Sequence, residues 1–267
     1  MINFFISINK SERISIFITM IRKKADGRLW EIDLFRGIAL CVMIIFHFLY
    51  DLNHFSITNF HLYSGFFSYL AQFTASIFVI LAGVSLSISY VKAKQYQLSE
   101  KEIQRKFIIR GLKIFFLGMV LTFFTWYAIP ERYIVFGVLH CIGASIILSI
   151  LFLRYHLLNY LVGIIFIGAG LYLRTMTFDF QWLLPLGLLP QRFYTIDYFP
   201  LLPWFGVVLF GIALGKTLYP NAQRRFYITE EINGHIPQGI CFFGRHSLHV
   251  YMLHQPILLA LIFLLFL

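Results

Sequence analysis

Arg36, His47 and Asp51 lie in one apolar run, and their spacing puts three ionisable groups on one side of a helix. At about 100° per residue, the step from Arg36 to His47 closes three turns plus roughly 20°, about 16 Å along the axis. Asp51 follows one turn later, close enough to accept a hydrogen bond from a ring N–H of His47 and so fix the imidazole tautomer. Ionisable groups inside a membrane span are costly and usually face the bundle interior. Two chemistries suit them. In one, His47 is a general base that takes a proton from an acceptor hydroxyl or amine as it attacks a thioester. In the other, His47, Asp51, His140 and His254 relay protons through a transporter. Arg36 leans toward the first, because a cation at the inner end of the stripe suits the phosphates of a cytosolic acyl donor. The plain alternative is that Asp33 and Arg36 pair at the interface while His47 and Asp51 sit near the outer headgroups.

Further polar residues interrupt later apolar runs. His140 lies within Gly137-Val138-Leu139-His140-Cys141-Ile142-Gly143, where it could line a tunnel or simply bond a neighbouring helix. The last run opens Gly244-Arg245-His246 and carries His254, Gln255 and Pro256. Proline cannot bond back to the carbonyl four residues earlier, so the helix is loosened beside His254 and Gln255, which read as a binding wall. Arg245 is a second candidate for holding donor phosphate, or a structural cation.

These residues need a frame, and composition supplies it. With 59% hydrophobic and 13% charged residues in 267, the chain cannot cover a soluble globule with polar surface. An all-α, polytopic transmembrane helix bundle is expected. Apolar runs near the roughly 20 residues of a membrane helix fall at 34–52, 66–91, 110–128, 133–153, 157–174, 199–218 and 247–267, seven spans in all. The stretch 180–190 is short and proline-containing, and reads as an interfacial or re-entrant loop or a concealed eighth crossing.

The net charge of +10 does not imply nucleic acid. With the N-terminus cytoplasmic, only Arg132, Arg174 and Arg192 of the 22 basic residues fall outside, as the positive-inside rule requires. Residues 1–29 form a cytoplasmic leader, either interfacial or a mis-called start with the true one at Met20, before Arg22, Lys23 and Lys24. The segment 92–109 reads as a cytoplasmic amphipathic helix. The outer loop 175–198, with Asp179, Trp182, Arg192, Tyr194 and Asp197, suits either a sugar-like ligand or an aromatic belt. Small residues at Gly83 and Gly211–Gly215 would let helices approach closely. Cys41, Cys141 and Cys241 have no metal-ligand spacing and read as packing residues.

Taken together, Arg36 and His47 with ten residues between them resemble the signature of membrane acyltransferases that modify surface glycans. More closely, Trp30 to Ala39, His47 to Leu52, Gly137 to Gly143, Pro200 to Trp204 and His254-Gln255-Pro256 look like the bacterial branch of the heparan-α-glucosaminide N-acetyltransferase catalytic-domain family. The resemblance spans about 30–267, treated as one transmembrane domain. It implies a bacterial inner-membrane enzyme with acetyl-CoA as co-substrate, no metal, and a sugar-like acceptor on the outer side. The implied partners are acyl-CoA, that acceptor, the lipid bilayer and, as an option, a second copy of the chain in a homodimer. One departure matters: lysosomal members carry their catalytic histidine after the first span. His54 and His61 occupy that segment here and stand in reserve as the base.

Overall fold

The protein is described from a computed structural model covering residues 28–62, 64–229 and 232–266. The expectations for residues 1–27, Met20 and its basic cluster among them, lie outside the described residues. The described residues form eight α-helices in order: α1 (Trp30–His54), α2 (Gly65–Gln95), α3 (Glu100–Ala128), α4 (Val138–Leu148), α5 (Leu157–Leu173), α6 (Leu201–Leu218), α7 (His235–Arg245) and α8 (Ser247–Phe266). Helices are the form a chain of this composition must take in lipid, because each satisfies its backbone groups internally. Large side chains face outward, with Phe116 67%, Ile164 60% and Leu264 80% exposed, a surface that only lipid covers at low cost. The protein is a multi-pass membrane bundle.

Among the described residues five helices, α1, α2, α3, α6 and α8, are long and apolar enough to cross a membrane. The expected fourth and fifth spans are shorter apolar helices, Val138–Leu151 and Leu157–Leu173. Residues 180–190 contain only a 3-10 turn at Leu184–Leu186, so no eighth crossing lies there. The segment 92–109 is not a separate helix. Its first residues end α2, Gln97 takes a left-handed φ of 56°, and Ser99 starts α3. Ser99 Oγ accepts from Glu102 N–H while Glu102 Oε2 accepts from Ser99 N–H, a reciprocal cap that fixes the break.

Glycines set the closest helix contacts. A Cβ on Gly111 would lie 2.7 Å from Gly143 O and one on Gly143 2.8 Å from Gly111 O, which brings α3 and α4 into backbone contact. Gly163 and Gly206 do the same for α5 and α6, and Gly83 and Gly211 join α2 to α6. The main core is built from Val79 and Leu86 on α2, Phe107 on α3, Ile146 on α4 and Leu209 and Ile212 on α6.

A short helix precedes the last span. The stretch read as a loop before the final span contains α7, which packs on the N-terminal half of α1. Gly37 and Gly244 make this possible: a Cβ on either would overlap a backbone carbonyl of the other helix, that of Ile240 or Asp33. At the α7 end the His246 backbone N–H caps Phe242 O and Phe243 O, while Arg245 Nε donates to Cys241 O and His246 Nδ1 to Phe242 O as additional bonds to the last turn. α8 then continues beside the C-terminal half of α1, as far as the contact of Phe263 with Phe55.

Candidate active site

α1 and α8 bring four of the predicted residues together. His47 Nδ1 lies 2.8 Å from Met43 O, and His254 Nδ1 lies 2.6 Å from Tyr251 O. A carbonyl can only accept, so Nδ1 carries the hydrogen in both rings, and a neutral imidazole then keeps its lone pair on Nε2. The two rings meet edge to face with centroids 4.9 Å apart. Beside them, Asp51 is only 3% exposed, and both its carboxylate oxygens accept from Gln255 Nε2 at 2.8 Å. Among the described residues, Gln255 Oε1 and His254 Nε2 are buried with no hydrogen-bond partner. Buried polar atoms are ordinarily bonded, so each such exception needs an explanation.

The tautomer of His47 is thus set by Met43, where the spacing predicted Asp51. The reason is the direction of helical side chains, which lean toward the helix N-terminus. The His47 ring reaches back one turn to Met43, away from Asp51, and Asp51 is engaged across the helix interface by Gln255 instead. The stripe's inner end also meets a different neighbour: Arg36 Nη2 donates to Ser85 Oγ of α2 at 2.6 Å, and Nη1 pairs with Asp33 at 3.4 Å.

His140 is 1% exposed and bonded at both ring nitrogens. Nδ1 accepts from Gly137 N–H at 3.2 Å, and Nε2 lies 3.4 Å from Thr122 Oγ1, whose own hydrogen goes to Ile134 O. The ring closes the α4 N-terminus against α3 and has no lone pair left for a tunnel. His54 and His61 are exposed; His54 stacks on Tyr50 and contacts Phe55. Arg245 is exposed at the α7–α8 junction. From that junction a groove of about 420 Å³ runs to His254, walled by Ile44, Phe242, Val250, Leu253 and Ile257.

Asp197 was legible only as one of several polar residues in an aromatic loop. In the fold it turns inward: Oδ2 accepts from Val138 N–H at 3.0 Å and from Tyr251 Oη at 3.3 Å. Burial pushes its carboxyl above the ordinary carboxylate range, opposed by the Val138 amide, the charge of His47 and the Tyr251 hydroxyl. The sequence signal that could have marked it is an acid flanked by apolar residues shortly before a span, opposite a glycine-started helix. Gly137 has no Cβ because Asp197 Oδ2 occupies that space.

Neither the search of curated proteins nor that of solved structures gives a match. Residues 28–256 match the protein family described as Heparan-alpha-glucosaminide N-acetyltransferase, catalytic, and this stretch contains every residue of the α1–α8 cluster. With most of its length matched, the chain belongs to the heparan-α-glucosaminide N-acetyltransferase catalytic family, which makes it a membrane acetyltransferase by descent.

Proposed function

We propose that the protein transfers an acetyl group from cytosolic acetyl-CoA to an amine on a sugar-like acceptor at the outer side of the bacterial inner membrane, with its N-terminus cytoplasmic. The supporting observation is the set of acceptor atoms where α1 meets α8. By its tautomer His47 Nε2 holds a lone pair, and His254 Nε2 and Gln255 Oε1 are buried without donors among the described residues. A group rich in N–H, such as an amine, supplies what these atoms lack; a thioester or phosphate does not.

In this reading the amine nitrogen attacks the thioester carbonyl carbon, the C–N bond forms and the C–S bond breaks. His47 Nε2 takes the proton from nitrogen and returns it to the departing thiolate, which leaves as the thiol. Asp51, held by Gln255, supplies negative charge one turn away. The apolar groove ending at His254 is the path for the donor's acyl end. Arg245, exposed at the α7–α8 junction next to His246 of the groove wall, is the cation for donor phosphate, while Arg36, engaged with Asp33 and Ser85, holds α1 against α2.

Acetyl-CoA binding tests the donor assignment. Acetyl-CoA at about 100 times its Kd should stabilise the purified protein by about 2.7 kcal/mol, read as a raised thermal midpoint. Acetyl phosphate should leave the midpoint unchanged. No shift with saturating acetyl-CoA would remove the donor from this reading.

A further inference from the structure

Three elements converge on one carboxylate that the proposed chemistry has not used. Asp197 Oδ2 meets the first amide of α4 and the hydroxyl of Tyr251 on α8. The loop that delivers it is pinned, with Thr195 Oγ1 donating to Tyr133 O, Ile196 N to Arg132 O and Phe199 N to Phe136 O. The other charged residues of that loop, Asp179 and Arg192, are exposed. From Asp197 a continuous line of contacts leads to the base: its bond to Tyr251, then Tyr251 to His254 with ring centroids 5.5 Å apart, then His254 to His47 at 4.9 Å. Tyr251 is the pivot, because its hydroxyl goes to Asp197 while its backbone carbonyl takes the Nδ1 hydrogen of His254.

We propose that Asp197 is a positioning residue for acetyl transfer: tied to the start of α4 and to Tyr251, it fixes the turn of α8 that sets His254 against His47, and its charge steadies His47 once that ring has taken the acceptor's proton. A cap alone would not need a carboxylate. An asparagine oxygen accepts from the α4 amide as well, whereas a half-buried carboxylate such as Asp197 carries a desolvation cost that only hydrogen bonds and a nearby positive charge offset. Its place at the α4 N-terminus and the Val138 and Tyr251 hydrogen bonds favour the charged form against the burial that opposes it.

The inference rests on the transferase reading, and the experiment separates the two. Wild type, Asp197→Asn and Tyr251→Phe are assayed with labelled acetyl-CoA and methyl α-glucosaminide as the acceptor probe, with thermal midpoints measured alongside. Asp197→Asn keeps an acceptor oxygen for Val138 and Tyr251, removes the charge and puts an amide NH2 in place of the second oxygen. It should lower kcat about 30-fold, the effect of one unit charge felt across several ångströms of low dielectric, with KM for acetyl-CoA and the thermal midpoint unchanged. Tyr251→Phe keeps the α4 cap and cuts the tie to α8, and should lower kcat in the same way. Wild-type kcat in folded Asp197→Asn overturns the proposal; if that variant does not accumulate, wild-type kcat in Tyr251→Phe overturns it. Transfer absent from the wild type itself overturns the transferase reading, and this one with it.

Discussion

His47→Ala should lower acetyl transfer by about 10³-fold, within the range a positioned general base supplies, while expression, helix content and acetyl-CoA binding stay as in the wild type. His54→Ala and His61→Ala should leave transfer within about twofold, since loss of an exposed side chain outside a site costs little. The comparison is informative because all three histidines lie on or just after α1 and differ in their surroundings. His54 and His61 are exposed, whereas His47 has its Nδ1 hydrogen committed to Met43 O and its ring against His254. That hydrogen bond leaves Nε2 as the basic atom. Transfer measured in membranes carrying each variant decides among them: activity retained in His47→Ala and lost in His54→Ala or His61→Ala would move the base to the segment after α1.

The choice among these histidines shows what the sequence could and could not reveal. The apolar runs located the long helices, and His47, Asp51, His254 and Gln255 were all visible as polar residues in greasy segments. Their pairing was not. Helical periodicity says which residues share a face, but the lean of side chains toward the N-terminus decided that His47 bonds Met43 and left Asp51 to Gln255. Asp197 was obscured because Trp182, Tyr194 and Tyr198 nearby make its loop resemble an interfacial belt. Most of α7 was read as the loop before the last run because Gly234, Pro237 and Gly239 break the apolar pattern there. The α2–α3 break was readable in retrospect from Ser99 and Glu102, a spacing that starts helices, within a run of helix formers that suggested continuity.

The glycines of α7 give the second large effect. Gly244→Ala should lower the thermal midpoint by roughly 6–12 °C, corresponding to about 3 kcal/mol of overpacking in a domain of this size. The added Cβ overlaps the Asp33 carbonyl, which is backbone and cannot rotate away. α7 would have to withdraw from α1, and the α7–α8 junction that opens the groove would move with it, so acetyl transfer should fall too. Gly239→Ala on the same helix is the control. A Cβ there has nothing within 4 Å, and replacing glycine by alanine inside a helix adds about 1 kcal/mol of helix propensity. A midpoint in Gly244→Ala equal to that of Gly239→Ala would contradict the α1–α7 packing.

In the proposed reaction the α1–α8 site joins a donor from one side of the membrane to an acceptor on the other. Sealed proteoliposomes with labelled acetyl-CoA confined to the face bearing the α1 N-terminus, and methyl α-glucosaminide to the opposite face, test it most directly. Label should appear on the sugar amine in the compartment that never held acetyl-CoA, and His47→Ala should prevent it. Acceptor-coupled proton movement without acetyl-CoA, and with no labelled sugar formed when the donor is supplied, would contradict it and identify the His47 cluster as a transporter's proton relay.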